Sequence, residues 1–166
     1  MSSSFITNKD KFLSDIINGI LPKTDAVDFL VGYFYYSGYV QLSENLKNKR
    51  IRILVGLDIE IQISKHVCEV ENFRQKLLSR GVLKEQYYSE FVKAFNDTDF
   101  LDTAEKIEQF KMFYAKILDG TLEIRKTLDP CHSKMYLFVY NESMNEGGEL
   151  PGVMITGSSN LSYQGM

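Results

Sequence analysis

The sequence predicts an α/β fold: a mixed β-sheet flanked by helices. Three observations lead there. Ala26–Tyr36 and Ile51–Leu57 are two apolar, aromatic-rich runs separated by a short helical pattern, and strand, helix, strand over some thirty residues reads as a right-handed crossover with parallel pairing. Further on, Ser133–Tyr140 and Gly152–Thr156 are two strand-like runs joined by a turn-rich stretch with no helical period, which predicts an antiparallel hairpin.

In chain order, Thr7 or Asn8 can cap a first helix over about Lys9–Ile20, where Phe12, Leu13, Ile16, Ile17 and Ile20 share one stripe, and Pro22 stops it. The Ala26–Tyr36 run is too continuous for a half-exposed strand, so it is expected near the centre of the sheet and buried on both faces. Ser37-Gly38 ends that strand, and Val40, Leu42 and Leu46 then take helical spacing before a basic loop, Lys47–Arg50. From about 67 to 119 the pattern is helical, carried by Phe73, Leu77 and Leu78, then Phe91, Ala94 and Phe95, then Ile107, Phe110, Phe113, Tyr114 and Ile117. Gly120 is placed to end the last of these helices in the left-handed conformation, and Leu122–Arg125 is a short strand after it.

Composition limits the function classes. With 166 residues, 44% hydrophobic, 25% charged and 3 prolines, the chain suits one folded domain and excludes disordered or collagen-like classes. A formal net charge of -3 gives no global basic footprint, so a nucleic-acid partner would have to be met by a local patch. Cys68 and Cys131 are too few and too far apart for a disulfide framework or a zinc site and are expected as free thiols. Met1–Asp10 lacks the basic-then-apolar order of a leader, and no window has the apolar length of a membrane helix. The expectation is a cytoplasmic protein with no membrane partner, whose chain continues past Met166 from a single domain over 1–166.

The candidate chemistry lies at the two ends of the hairpin. His132-Ser133-Lys134 begins its first strand and Gly157-Ser158-Ser159-Asn160 follows its second, so antiparallel pairing brings the two together. Side chains alternate along a strand, which puts His132 and Lys134 on one face. An imidazole can attack phosphorus or transfer a proton, an ammonium can hold phosphoryl oxygens, and hydroxyl and amide groups can complete an anion site. Loop amides around Gly157 and Ser158, which precede an expected helix start, would add N–H donors and positive dipole for a phosphate.

These residues resemble the phospholipase D superfamily, whose members carry His-x-Lys, four residues, Asp, and later Gly-Ser-x-Asn. Here His132, Lys134 and Gly157-Ser158-Ser159-Asn160 match, while Val139 stands where the family has Asp. Phe29–Gly38 followed by Ile51–Gly56 is also similar to the front half of nuclease-like members found at the start of bacterial helicases and restriction enzymes. The resemblance covers the strands at both ends of the chain and not the helical middle. It implies a phospholipase D-like α/β/α sandwich and hydrolysis of phosphodiesters without metal or cofactor. One histidine forms a phosphohistidine and a second protonates the leaving oxygen. Because this chain carries one motif, the second set is expected from an identical subunit, with the site on a two-fold axis. The implied catalytic residues are His132, Lys134 and Asn160, the implied phosphate binders Ser158 and Gly157. The implied partner is nucleic acid, DNA before RNA, with a helicase or other domain further along the chain.

Blander readings stand beside these. His132 alone is more often structural, Lys134 can be an edge-strand lysine, and Ser158 and Asn160 can cap a helix. His66 has no partner at metal spacing. Phe34 is expected in the core, while Tyr33 or Tyr35 can approach the pocket or stack bases. Lys47, Lys49, Arg50 and Arg52 read first as a solvated face. The alternative function is a catalytically silent dimerisation or nucleic-acid-docking domain with the same fold.

Overall fold

The computed structural model describes residues 12–59, 103–144, 151–162 and 164–166. Helix α1 (Leu13–Ile20) leads through a 3₁₀ turn, Leu21–Lys23, into β1 (Thr24–Phe34). Two short helices, α2 (Tyr36–Val40) and α3 (Ser43–Leu46), connect to β2 (Arg50–Ile59). Helix α4 (Ala104–Asp119) precedes β3 (Leu122–Lys126), and β4 (Met135–Tyr140) and β5 (Gly152–Thr156) complete a five-stranded sheet in the order β3-β2-β1-β4-β5. β1, β2 and β3 run parallel, while β4 is antiparallel to both β1 and β5. The fold is therefore α/β with a mixed sheet flanked by helices. Among the described residues no helix is long and apolar enough to cross a membrane.

β1 is central, as its sequence predicts, but the expectation of two buried faces fails. Val27, Phe29 and Val31 are buried, whereas Asp28 and Leu30 between them are half-exposed. The reason lies in the layers: α1, α2, α3 and α4 send Leu13, Ile17, Tyr36, Tyr39, Leu46, Phe113 and Ile117 into one core with Val27, Phe29, Ile53, Val55, Tyr136 and Phe138. On the other face Asp28 pairs with Arg52 and Glu123 with Arg125, the solvated role expected for Arg52. Phe113 is the centre of the packing, edge-on to Tyr36 and Tyr39 with ring centroids 5.2 and 4.8 Å away, a geometry that adds about 0.5–1.5 kcal/mol per pair beyond burial.

Local signals are met at the ends of α4. The Thr103 hydroxyl accepts the Lys106 N–H at 3.2 Å, and Gly120 closes the helix at φ 82°, where a side chain would be strained. Lys116, 7% exposed, donates to the Lys47 and Lys49 carbonyls at 2.9 and 2.8 Å and pins α4 to the amino end of β2. The first helix starts later than the expected Lys9: Phe12 is its extended N-cap and is exposed instead of lying on the apolar stripe. Residues 7–11, with the expected caps, and the expected helical residues 67–102, with Cys68 and His66, lie outside the described residues.

Candidate functional site

Two glycines let distant chain segments settle on the carboxyl ends of β1 and β2. Val31 faces Val55 and Tyr33 faces Asp58, so β2 carries one extra residue where β1 has Gly32. That irregularity is a bulge at the carboxyl end of β1. The connection after β3 crosses β2 here: the Cys131 N–H donates to the Gly56 carbonyl at 2.9 Å, and a Cβ on Gly56 would overlap the Cys131 carbonyl. The Thr127 N–H donates to the Val55 carbonyl at 2.9 Å, holding the start of the same crossing. Only a residue without a side chain at position 56 allows this approach, and the crossing delivers His132 over β1.

Gly32 is the floor of the site. A Cβ built on it would stand 3.2 Å from the Asn160 Oδ1, 3.2 Å from the His132 Cδ2 and 3.5 Å from the Lys134 Nζ. Side chains from 132–134 and from Asn160, some 26 residues further on, thus converge on one point above a strand position that offers no side chain of its own. The point lies outside the carboxyl end of the central strand, with β2 and β3 on one side and β4 and β5 on the other, where open α/β sheets commonly bind ligands.

Lys134 and Asn160 are held, and both keep free donors. Lys134, 5% exposed, spends one N–H on the His132 carbonyl at 2.7 Å, which leaves two of an ammonium's three donors. The Asn160 Oδ1 accepts the Tyr33 N–H at 3.0 Å, so its amide N–H groups remain available. The His132 ring is exposed and stands edge-on to Tyr33, with centroids 6.4 Å apart. A buried ammonium, an amide donor and an imidazole around one small space are suited to an anion bearing several oxygens.

The sequence places His132 and Lys134 on one strand face, and here the structure differs. β4 begins only at Met135, so both precede it, and they converge because the Lys134 side chain folds back to the His132 carbonyl. The hairpin itself is as expected: Met135 faces Thr156, and the Gly157 N–H reaches the Lys134 carbonyl at 3.4 Å as a last rung. Gly157 and Ser158 are exposed, with open space where a Gly157 Cβ would be. The residues gathered over Gly32 are His132, Lys134 and Asn160.

Among the described residues no helix starts after Asn160. Instead Leu161 bridges to Phe34 in parallel fashion, its carbonyl accepts the Tyr35 N–H at 2.9 Å, and Leu161 is buried. The cause is burial: Leu161 gains more from the core beside β1 than from an exposed first turn. The segment passes so close to Gly38 that a Cβ there would overlap the Ser162 amide nitrogen. Tyr136 steadies the segment through its hydroxyl, which donates to the Ser159 carbonyl at 2.8 Å.

Val139, 44% exposed, lies opposite Ala26 and Gly152. Its partner Ala26 lies six residues before Gly32 along β1, so Val139 is not one of the groups gathered over Gly32. Cys131 is a free thiol, and the Ser133 N–H and hydroxyl, then the Lys134 charge, hold it below the ordinary thiol range. Among the described residues no three His, Cys, Asp or Glu side chains are grouped to hold a metal ion. No family model, no curated protein and no solved structure matches the chain.

Proposed function

We propose that this chain is a metal-independent phosphodiesterase domain acting on nucleic acid, with His132 as nucleophile in a site completed by a second copy of the chain. The observation that carries the reading is the convergence of His132, Lys134 and Asn160 over Gly32 at 3.2–3.5 Å. Imidazole attack on phosphorus forms a phosphohistidine as the leaving oxygen departs with a proton from the second copy's histidine. Water, giving a proton back to the second copy's histidine, then attacks phosphorus, cleaves the P–N bond and restores both imidazoles. Lys134 and Asn160 supply hydrogen bonds to the equatorial oxygens, whose charge grows in the transition state. The phospholipase D likeness of His132, Lys134 and Gly157–Asn160 supports this mechanism. The Val139 position away from the pocket supports activity despite the missing aspartate.

The test is hydrolysis of an aryl phosphodiester in the presence of chelator, with light scattering on the same sample. The expected result is turnover by a particle of two chains, abolished by His132→Ala. A dimer that cleaves neither the aryl ester nor DNA, and that is indifferent to His132→Ala, overturns the enzymatic reading. The second reading, a silent dimerisation or DNA-docking domain, rests on the departure at Val139. DNA binding at low salt without turnover would select it.

A further inference from the structure

Two exposed tyrosines on the segment that follows Gly32 carry an inference about the substrate. Tyr33 is 36% and Tyr35 41% exposed, although the residues around them, Phe34 and Tyr36, are fully packed. Both are fixed through the backbone by the segment that also supplies Asn160. The Tyr33 N–H donates to the Asn160 side chain at 3.0 Å, and the Tyr35 N–H to the Leu161 carbonyl at 2.9 Å. Tyr33 also meets His132 edge to face at a centroid distance of 6.4 Å. These are exposed aromatic rings on a rigid support, one of them touching the nucleophile's ring, and neither adds to the core.

We propose that Tyr33 and Tyr35 form a stacking platform for the bases that flank the scissile phosphate, so that the site takes single-stranded or locally unpaired nucleic acid. The inference deepens the phosphodiesterase reading and rests on it. Alternate residues of an extended segment leave on one side, and two residues span about 6.6 Å. That is roughly twice the 3.4 Å rise per nucleotide of a stacked duplex strand. Bases lying on the two rings are therefore drawn apart from each other, which a paired, stacked duplex does not permit. Every base has a π-face, so the platform confers preference for a strand state rather than a sequence.

The experiment uses the full chain with His132→Ala, which binds without consuming the probe. Fluorescence anisotropy compares a labelled single-stranded oligonucleotide with an abasic strand of equal length, in chelator and at fixed salt. Tyr33→Ala is expected to weaken the base-bearing strand about five- to a hundredfold and to leave the abasic strand unchanged. Tyr33→Trp restores binding, and Tyr35→Ala acts in the same direction. Equal weakening of both strands, no weakening of either, or a parent that binds both alike overturns the platform. Hydrolysis by the His132 protein is read separately. Turnover without base-dependent binding removes the platform and keeps the catalytic reading. Base-dependent binding without turnover does the reverse.

Discussion

Two buried lysines sit at opposite ends of the sheet and differ in what their ammonium groups are left to do. Lys116, at the amino end of β2, gives two of its donors to the Lys47 and Lys49 carbonyls, and burial holds its pKa below the ordinary lysine value. Lys134, beside the carboxyl end of β1, gives one donor to the His132 carbonyl and has its Nζ 3.5 Å from the point above Gly32, where His132 and Asn160 also meet. Burial is nearly equal, so burial does not distinguish them. Their spare hydrogen-bonding capacity and their company do.

The comparison breaks or survives on exchanging each lysine for methionine. Lys134→Met is expected to lower kcat on an aryl phosphodiester about 10²–10³-fold, the scale for removing one donor from a developing oxyanion, with little change in Tm. Lys116→Met strands two carbonyls and is expected to cost about 1–3 kcal/mol of stability, while turnover per folded molecule stays at the parent value. Urea unfolding beside steady-state kinetics reads both. If Lys116→Met abolishes turnover and Lys134→Met only destabilises, the roles are reversed and the proposed site is wrong.

The glycines sharpen the same contrast. Gly56→Ala places a methyl against backbone, the Cys131 carbonyl, and is expected to cost about 1–3 kcal/mol or more. Gly32→Ala meets side-chain atoms at 3.2 Å. It is expected to leave the Tm nearly unchanged while raising KM for a phosphodiester, because the new methyl occupies the space a phosphate would fill. A Gly32→Ala protein with parent kinetics would show that the space above β1 is not the substrate site.

Much of this was readable in advance, and the gaps share a physical cause. The β5 bounds, the hairpin, the parallel crossover and the Gly120 cap all follow from patterns within a few residues of each other. The roles of Gly32 and Gly56 do not, because what crowds them is chain from beyond residue 130. A glycine inside a strand signals only that some backbone or ligand comes close. Leu161 misled for the same reason: Ser158 and Asn160 are good helix caps locally, and a contact with Phe34 far back in the chain decides otherwise. His132, Lys134 and Asn160 were readable because the hairpin that joins them is itself a short-range feature.

The smallest effect belongs to the link between core and site. The Tyr136 hydroxyl donates to the Ser159 carbonyl, one residue before Asn160, and burial pushes the pKa of Tyr136 up, as it does for Tyr36 and Tyr39. A folded-state pKa above the unfolded value means that this stability is fully present below about pH 10 and is lost as pH rises beyond it. In that range the unfolded tyrosines release protons while the buried ones keep theirs. Each such tyrosine steepens the loss by up to about 1.4 kcal/mol per pH unit. Tyr136→Phe is therefore expected to cost about 1 kcal/mol at pH 7 and to make the decline above pH 10 shallower by one tyrosine's share, as urea unfolding at both pH values would show. An unchanged alkaline slope would mean that Tyr136 already reaches solvent, and that the Ser159–Asn160 segment is held to the sheet by Leu161 and not by this hydroxyl.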